Sequence, residues 1–183
     1  MKKGTQNVFV RSAELGLPFG ALLMAASISM LYFDIVPALY IVVMLVIVVA
    51  PVVLLRYQVR YFVESDGFAT FSELWSLGIF TTICGSLICA MLSYGAATLF
   101  RPDFLYEQAQ WYIDFCKQNH VTQLGEVVDV LQKMIKHNLM PSIIDYYMQM
   151  MCFTTSLGCM GGALTAYFAG LTPMGKREKK TKN

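Results

Sequence analysis

TTSLGCMGGALTAYFAGLTPMG, residues 154–175, holds no charged side chain, and Thr154, Gly158, Gly162, Ala166 and Gly170 recur in it at every fourth position. On a helix that spacing lines small side chains along one face. In water such a helix would be poor, because each Gly costs about 1 kcal/mol relative to Ala. In lipid the backbone has little alternative, since unpaired N–H and C=O groups there cost several kcal/mol each. The stripe then becomes a seam that another helix can approach closely. A basic stop follows directly: Lys176, Arg177, Lys179, Lys180 and Lys182.

The whole chain has the same character. Of its 183 residues, 56% are apolar and only 14% charged, well below the charged share of an ordinary soluble domain. The apolar residues concentrate in four uncharged runs, the pattern of membrane-spanning helices. The net charge of +2 gives no reason to expect a nucleic-acid partner. The five cysteines, Cys84, Cys89, Cys116, Cys152 and Cys159, form no C-x-x-C, and they read as small apolar packing residues.

The first span is expected over 15–33, after a polar head carrying Lys2, Lys3 and Arg11. A secretory signal peptide is the competing reading, but the apolar run is long for one and a second span follows at once. Asp34 marks a turn, and Pro37 suits the start of the next helix. The second span, 35–55, is dense in Val and Ile and should face lipid widely; Arg56 and Arg60 close it, and 56–73 reads as a loop with a turn at Ser65-Asp66-Gly67. Thr70 and Glu73 form a capping box that opens a third span, 74–100. Within that span Thr81, Gly85, Cys89, Ser93 and Ala97 make a second small-residue stripe at spacing four. The two stripes predict that the third and fourth spans pack on each other or on a partner.

Between those spans, 103–140 is the sizeable extramembrane segment. An amphipathic helix is expected over 104–118, with Leu105, Ala109, Tyr112 and Cys116 on one face, widened by Phe104, Trp111 and Phe115. A second is expected over about 122–137, ended by Asn138 and Pro141. This helical hairpin should lie on the membrane surface or cap the bundle. Ser142 and Asp145 then read as another capping box before a fourth span, 146–172.

With four spans both ends of the chain share one side. That side carries most of the Lys and Arg, so the positive-inside rule places it in the cytoplasm. The fold class expected is therefore all-α: a polytopic membrane protein of four transmembrane helices, a single membrane domain over 1–183, with the amphipathic hairpin between the third and fourth and a basic cytoplasmic tail over 176–183.

Two patches carry a resemblance: Phe71-Ser72-Glu73-Leu74-Trp75-Ser76-Leu77-Gly78 at the start of the third span, and Tyr94 to Phe104 with its Arg-Pro-Asp-Phe exit. With the order of parts, they resemble the bacterial inner-membrane family known as domain of unknown function 4199. The resemblance implies a four-span protein of the bacterial inner membrane with no established activity, and so no catalytic residues to carry over.

Chemistry is sparse. Glu14, Asp34, Glu73 and Asp145 sit at span ends rather than mid-membrane, where a coupled transporter would need them. His120 and His137 have no ligand spacing and read as exposed helix-end residues. Met148, Met150, Met151 and Met160 with Cys152 and Cys159 are soft donors, but adaptable packing is the favoured reading over a copper(I) site. No P-loop, G-x-S-x-G or H-E-x-x-H occurs. No catalytic group, cofactor or metal is expected. The leading expectation is a non-enzymatic accessory or assembly subunit. It would present small-residue faces to a second copy of itself or to a larger membrane protein. Membrane lipids are the other partner expected, with Lys176, Arg177, Lys179, Lys180 and Lys182 at the membrane surface, where they anchor the last helix. Handling of lipid or of polyprenyl-phosphate-linked sugar is the alternative, and a passive oligomeric pore a third.

Overall fold

The computed structural model describes residues 8–119, 125–137 and 139–171. Among them the fold is all-helical: α1 (Val8–Leu31), α2 (Leu39–Glu64), α3 (Phe71–Phe100), α4 (Phe104–Gln118), α5 (Gly125–Lys136) and α6 (Ile143–Gly170). Three of them, α1, α2 and α3, are long and apolar enough to cross a membrane. The fourth expected span corresponds to α6. It is 28 residues long, but Thr, Ser, Gly and Tyr occupy positions that hold Leu, Ile and Val in α2.

Several boundaries differ from those expected. α1 begins at Val8, so Arg11 and Glu14 belong to its first turns rather than to a polar head. α2 runs to Glu64, nine residues past the expected end at 55. The charges at Arg56, Arg60 and Glu64 do not stop it, because they point outward while Gln58, Tyr61 and Phe62 turn inward. The loop expected over 56–73 shrinks to residues 65–70. It turns through Asp66 and Gly67, both in the left-handed region at φ 54° and 80°. The α3 cap is as expected: Thr70 accepts from the Glu73 amide, and the Glu73 carboxylate accepts from the Thr70 amide at 2.7 Å. At α6, Ser142 accepts from the Asp145 amide, but the Asp145 carboxylate takes the Ser142 hydroxyl instead of a backbone N–H. α4 spans the expected residues. The start expected for α5, and His120, lie outside the described residues.

The long helices form a ring in which α3 and α2 each pack between α1 and α6. α3 is buried along two adjoining lines. Leu77, Thr81 and Gly85 lie toward α1; Leu74, Gly78, Thr82 and Ser86 lie toward α6 and α2. Glycine sets the spacing. A Cβ placed at Gly16 would stand 2.6 Å from the Cys84 Cβ, and one at Gly20 would stand 2.9 Å from the Gly85 carbonyl oxygen. A Cβ at Gly158 would stand 2.1 Å from Thr82 Cγ2. Beyond these seams, Tyr61 and Phe62 of α2 join Leu74, Leu77, Ala166 and Ala169 in one apolar cluster. At the other end, Phe104 seats the start of α4 against Leu31, Ala97 and Tyr147. α4 and α5 share a small cluster of Ile113, Cys116 and Val128. Outside the ring, α2 exposes Ile41, Leu45, Ile47 and Val48, an apolar surface suited to lipid.

These seams sort the glycines of α6. Gly158→Ala drives a methyl into the buried Thr82 side chain and should destabilise by about 1–3 kcal/mol, as overpacking does. Gly161→Ala meets nothing within 4 Å and should be neutral or stabilising. Thermal unfolding of the two variants in mild detergent checks the contrast.

Candidate functional site: polar ties between the helices

The small-residue positions singled out by the sequence divide by neighbour. Thr81 is buried on the α1 side, and Gly85 lies against Phe19 and Gly20 of α1 rather than against α6. Cys89 is half-buried with its Sγ 3.8 Å from the Ser93 hydroxyl. Ser93 and Ala97 are buried, and Ala97 touches the Phe104 cluster. On α6, Thr154 bonds its own helix at the Met150 carbonyl. Gly158 meets Thr82, Gly162 faces Gly78, and Ala166 enters the core with Leu74. Gly170 is exposed and open. The two stripes therefore do not face each other: 154–166 meets Gly78 and Thr82, one line over from Thr81 and Gly85. Lys176, Arg177, Lys179, Lys180 and Lys182 lie outside the described residues.

The methionines do not converge. Met148 and Met160 are exposed on α6, as is Cys152. Among the described residues no group of three or more His, Cys, Asp or Glu could hold a metal.

What the fold does concentrate is polar cross-bracing. Gln58, fully buried, extends from α2 across the ring. Its Nε2 donates to the Leu74 carbonyl of α3 at 3.0 Å and to the Gly162 carbonyl of α6 at 3.1 Å. It occupies the space beside Gly78, where a Cβ would stand 2.8 Å from Nε2. Trp75 donates from Nε1 to the Cys159 carbonyl at 3.1 Å, and the Ser86 and Thr155 hydroxyls pair at 3.1 Å, so α3 and α6 are tied at three levels.

At one end, Arg101 caps α3 and ties it to α1, to the α1–α2 turn and to α4. It donates to both Asp34 oxygens at 2.8 Å, to the Leu31 carbonyl at 2.6 Å, and to Glu107 of α4. Its guanidinium also lies over the Tyr32 ring, 5.7 Å from the centroid. The two main partners are nearly enclosed, at 12% and 11% side-chain exposure, so solvent screens the pair little. The Arg101 hydrogen bonds hold the Asp34 carboxyl below its ordinary value of 3.8, against the opposing effect of burial. Gln108 of α4 adds a bond to the Met30 carbonyl at 2.6 Å, and Trp111 sets its edge on Phe33, centroids 4.8 Å apart. At the other end Arg11 of α1 donates to both Glu64 oxygens at 2.9 Å, and Arg60 reaches the same carboxylate at 2.8 Å.

An open cleft of about 190 Å³ lies near this second end, lined by Val8, Phe9, Ser72, Glu73, Ser76 and Phe80. Its carboxylate, Glu73, is also the cap of α3.

Sequence reasoning passed over both Gln58 and the Arg101–Asp34 pair. Gln58 fell inside the expected loop. The pair had a signal: Asp34 and Arg101 are each the first charge after an apolar run, at ends that topology places on one side.

Fold and site together define an all-helical protein, among the described residues, built to sit in a membrane, with Gln58, Trp75 and the Ser86–Thr155 pair bonding from helix to helix. The chain belongs to a family described as proteins of unknown function, DUF4199, whose sequence model matches residues 14–170. No curated protein and no solved structure matches it.

The Arg101 clasp gives a test. Arg101→Gln leaves Asp34 nearly buried without its cation and should destabilise by about 3 kcal/mol. Because the folded pKa of Asp34 is depressed, its contribution is present above the ordinary value of 3.8 and is lost as pH falls below it. Unfolding followed downward from pH 7 should show the wild-type advantage over Arg101→Gln narrow as pH falls below 3.8.

Proposed function

We propose that this is a four-span protein of the bacterial inner membrane that acts as a non-enzymatic accessory or assembly subunit. The observation that carries the reading is how its buried polar groups are used. Gln58 and Arg101 donate mainly to groups on other helices and on the loops between them, so the interior's strongest polar interactions serve architecture.

The register of α6 supports the fourth span. Gly162 lies at Gly78, Gly158 at Thr82, Thr155 at Ser86 and Tyr147 at Ala97, so α6 runs antiparallel along most of α3. A 28-residue helix is about 42 Å long, enough for a hydrocarbon core of about 30 Å. The balance of Lys and Arg supports cytoplasmic placement of the end that holds Arg11, Arg56 and Arg60. The α4–α5 pair then lies on the far side, anchored to the bundle end through Phe104 and Arg101.

In this reading Gly158 and Gly162 serve the bundle itself. A membrane partner would meet the outer face of α6, where Leu157, Met160 and Leu164 are exposed and Gly161 is open. Gentle extraction of natively expressed, tagged protein, followed by sizing and mass spectrometry, tests this. A stoichiometric second protein is expected. Gly161→Leu should shrink the complex without lowering the Tm of the chain, and an unchanged complex would count against the outer face of α6.

The cleft at Glu73 favours one second reading, lipid handling. Its single carboxylate beside two serine hydroxyls and two phenyl rings suits an amine-bearing headgroup rather than a phosphate alone. A defined amine lipid travelling with the extracted protein, and no second protein, would move the weight there.

A further inference from the structure

α5 carries more apolar surface than α4 covers. At about 100° per residue, Val128, Leu131 and Ile135 lie within about 100° to one side of Val127, and Val130 and Met134 within about 60° to the other. Glu126, Asp129, Gln132, Lys133 and Lys136 take the rest of the circumference. The first group packs on α4: Val128 is buried with Ile113 and Cys116, and Leu131 and Ile135 lie against them. The second does not. Val127 and Val130 remain 45% and 54% exposed. The Leu139 amide donates to the Met134 carbonyl at 2.9 Å, which folds the chain back at the end of this strip and leaves Leu139 exposed there as well.

α5 packs chiefly on α4, so α4 sets where the strip lies. Phe104 seats on Leu31 and Ala97, Gln108 bonds the Met30 carbonyl and Trp111 meets Phe33, so α4 caps the adjoining ends of α1 and α3. Both helices are long and apolar enough to cross a membrane, and their shared end marks one face of the bilayer whether or not α6 also spans. The chain enters and leaves the hairpin through surface suited to lipid. Leu99 and Phe100 are exposed just before α4, and Leu139 and Ile144 are exposed between α5 and the first turn of α6. Phe115, stacked on Trp111, is exposed too, and such rings belong at headgroup depth.

We infer that α5 is a membrane-surface helix, whose Val127–Val130–Met134 strip enters the headgroup–acyl boundary of the bilayer that the spans cross, while α4 caps the bundle. The occupant is lipid because the strip sits at the end of two membrane-spanning helices, between exposed apolar residues that only the bilayer edge would cover. Insertion of this kind follows from an apolar face opposite a charged one. The charges of α5 are two acidic and two basic, so zwitterionic lipid suffices. The inference rests on the bundle lying in a membrane and not on its acting as an accessory subunit.

The test uses the full chain in phosphatidylcholine vesicles with no other protein present. Nitroxides are attached at Val130→Cys and at Gln132→Cys, each in a chain whose five native cysteines are changed to Ala. Oxygen, which concentrates in lipid, and a nickel chelate, which stays in water, then compete to relax each label. The oxygen-to-nickel ratio should be several-fold higher at 130 than at 132. Equal ratios, or a label at 130 shielded from both reagents as contact with a second copy would shield it, overturn the inference. A second measurement keeps the native sequence. Phosphatidylcholine carrying a benzophenone near its acyl carbonyl should crosslink under light to residues 127–134 as well as to Leu99 or Phe100. Crosslinks at the end of α3 with none in α5 would equally overturn it.

Discussion

Everything in this fold depends on how close α3 can come to two neighbours at once. In lipid there is no hydrophobic gain from bringing apolar helices together, so association rests on close packing and on hydrogen bonds between helices. Gly16 and Gly20 let α1 reach the Gly85 backbone, and Gly158 and Gly162 let α6 settle on Thr82 and Gly78. The backbone carbonyls thereby exposed across the seams become acceptors. Gln58 can reach the Gly162 carbonyl because Gly78 carries no side chain, whose Cβ would stand 2.8 Å from Nε2. Close approach and polar bracing are one device, and a glycine replaced there removes both.

The ends of the bundle are fixed by a different interaction. Arg101 and Arg11 each bind a carboxylate with two hydrogen bonds, one at either end of the ring. The Arg101 pair, Nη1 to Oδ1 and Nη2 to Oδ2 of a nearly enclosed Asp34, is bidentate and so directional as well as strong. At the half-exposed Glu64 the Arg11 Nη2 alone reaches both oxygens. The two pairs place the α1–α2 turn and the start of α4 at one end, and the α1 and α2 termini at the other. Among the described residues the interior between them combines an apolar cluster with small hydroxyls, glycine and one amide, and holds no buried charged side chain.

How much of this could be read in the sequence varies with the kind of signal. The start of α3 and the whole of α4 were legible, because capping chemistry and amphipathic period are local. The end of α2 was not. Charges at Arg56 and Arg60 look like the close of an apolar run, yet the helix continues by turning Gln58, Tyr61 and Phe62 inward, which tertiary contact alone reveals. The small-residue stripes were visible, but their partners were not. A spacing of four advances about 40° per step on a helix of 3.6 residues per turn, so a stripe from 81 to 97 winds away from any single neighbour. Gly78, the residue that actually meets Gly162, stood outside the stripe for that reason. The Arg101–Asp34 pair joins positions far apart in the chain, and only the count of spans brings them to one end.

The central claim is that α6 lies antiparallel along α3 within the membrane, in the register set by Gly78 and Gly162. Disulfide trapping measures this most directly. Ser86→Cys and Thr155→Cys, introduced together after the five native cysteines are changed to Ala, place two thiols where hydroxyls now sit 3.1 Å apart. Mild oxidation in native membranes should link them rapidly within one chain. The pair Leu87→Cys and Thr155→Cys, with Leu87 exposed on the outer side of α3, should stay unlinked. Linkage of the second pair but not the first, or linkage only between chains, would contradict the arrangement.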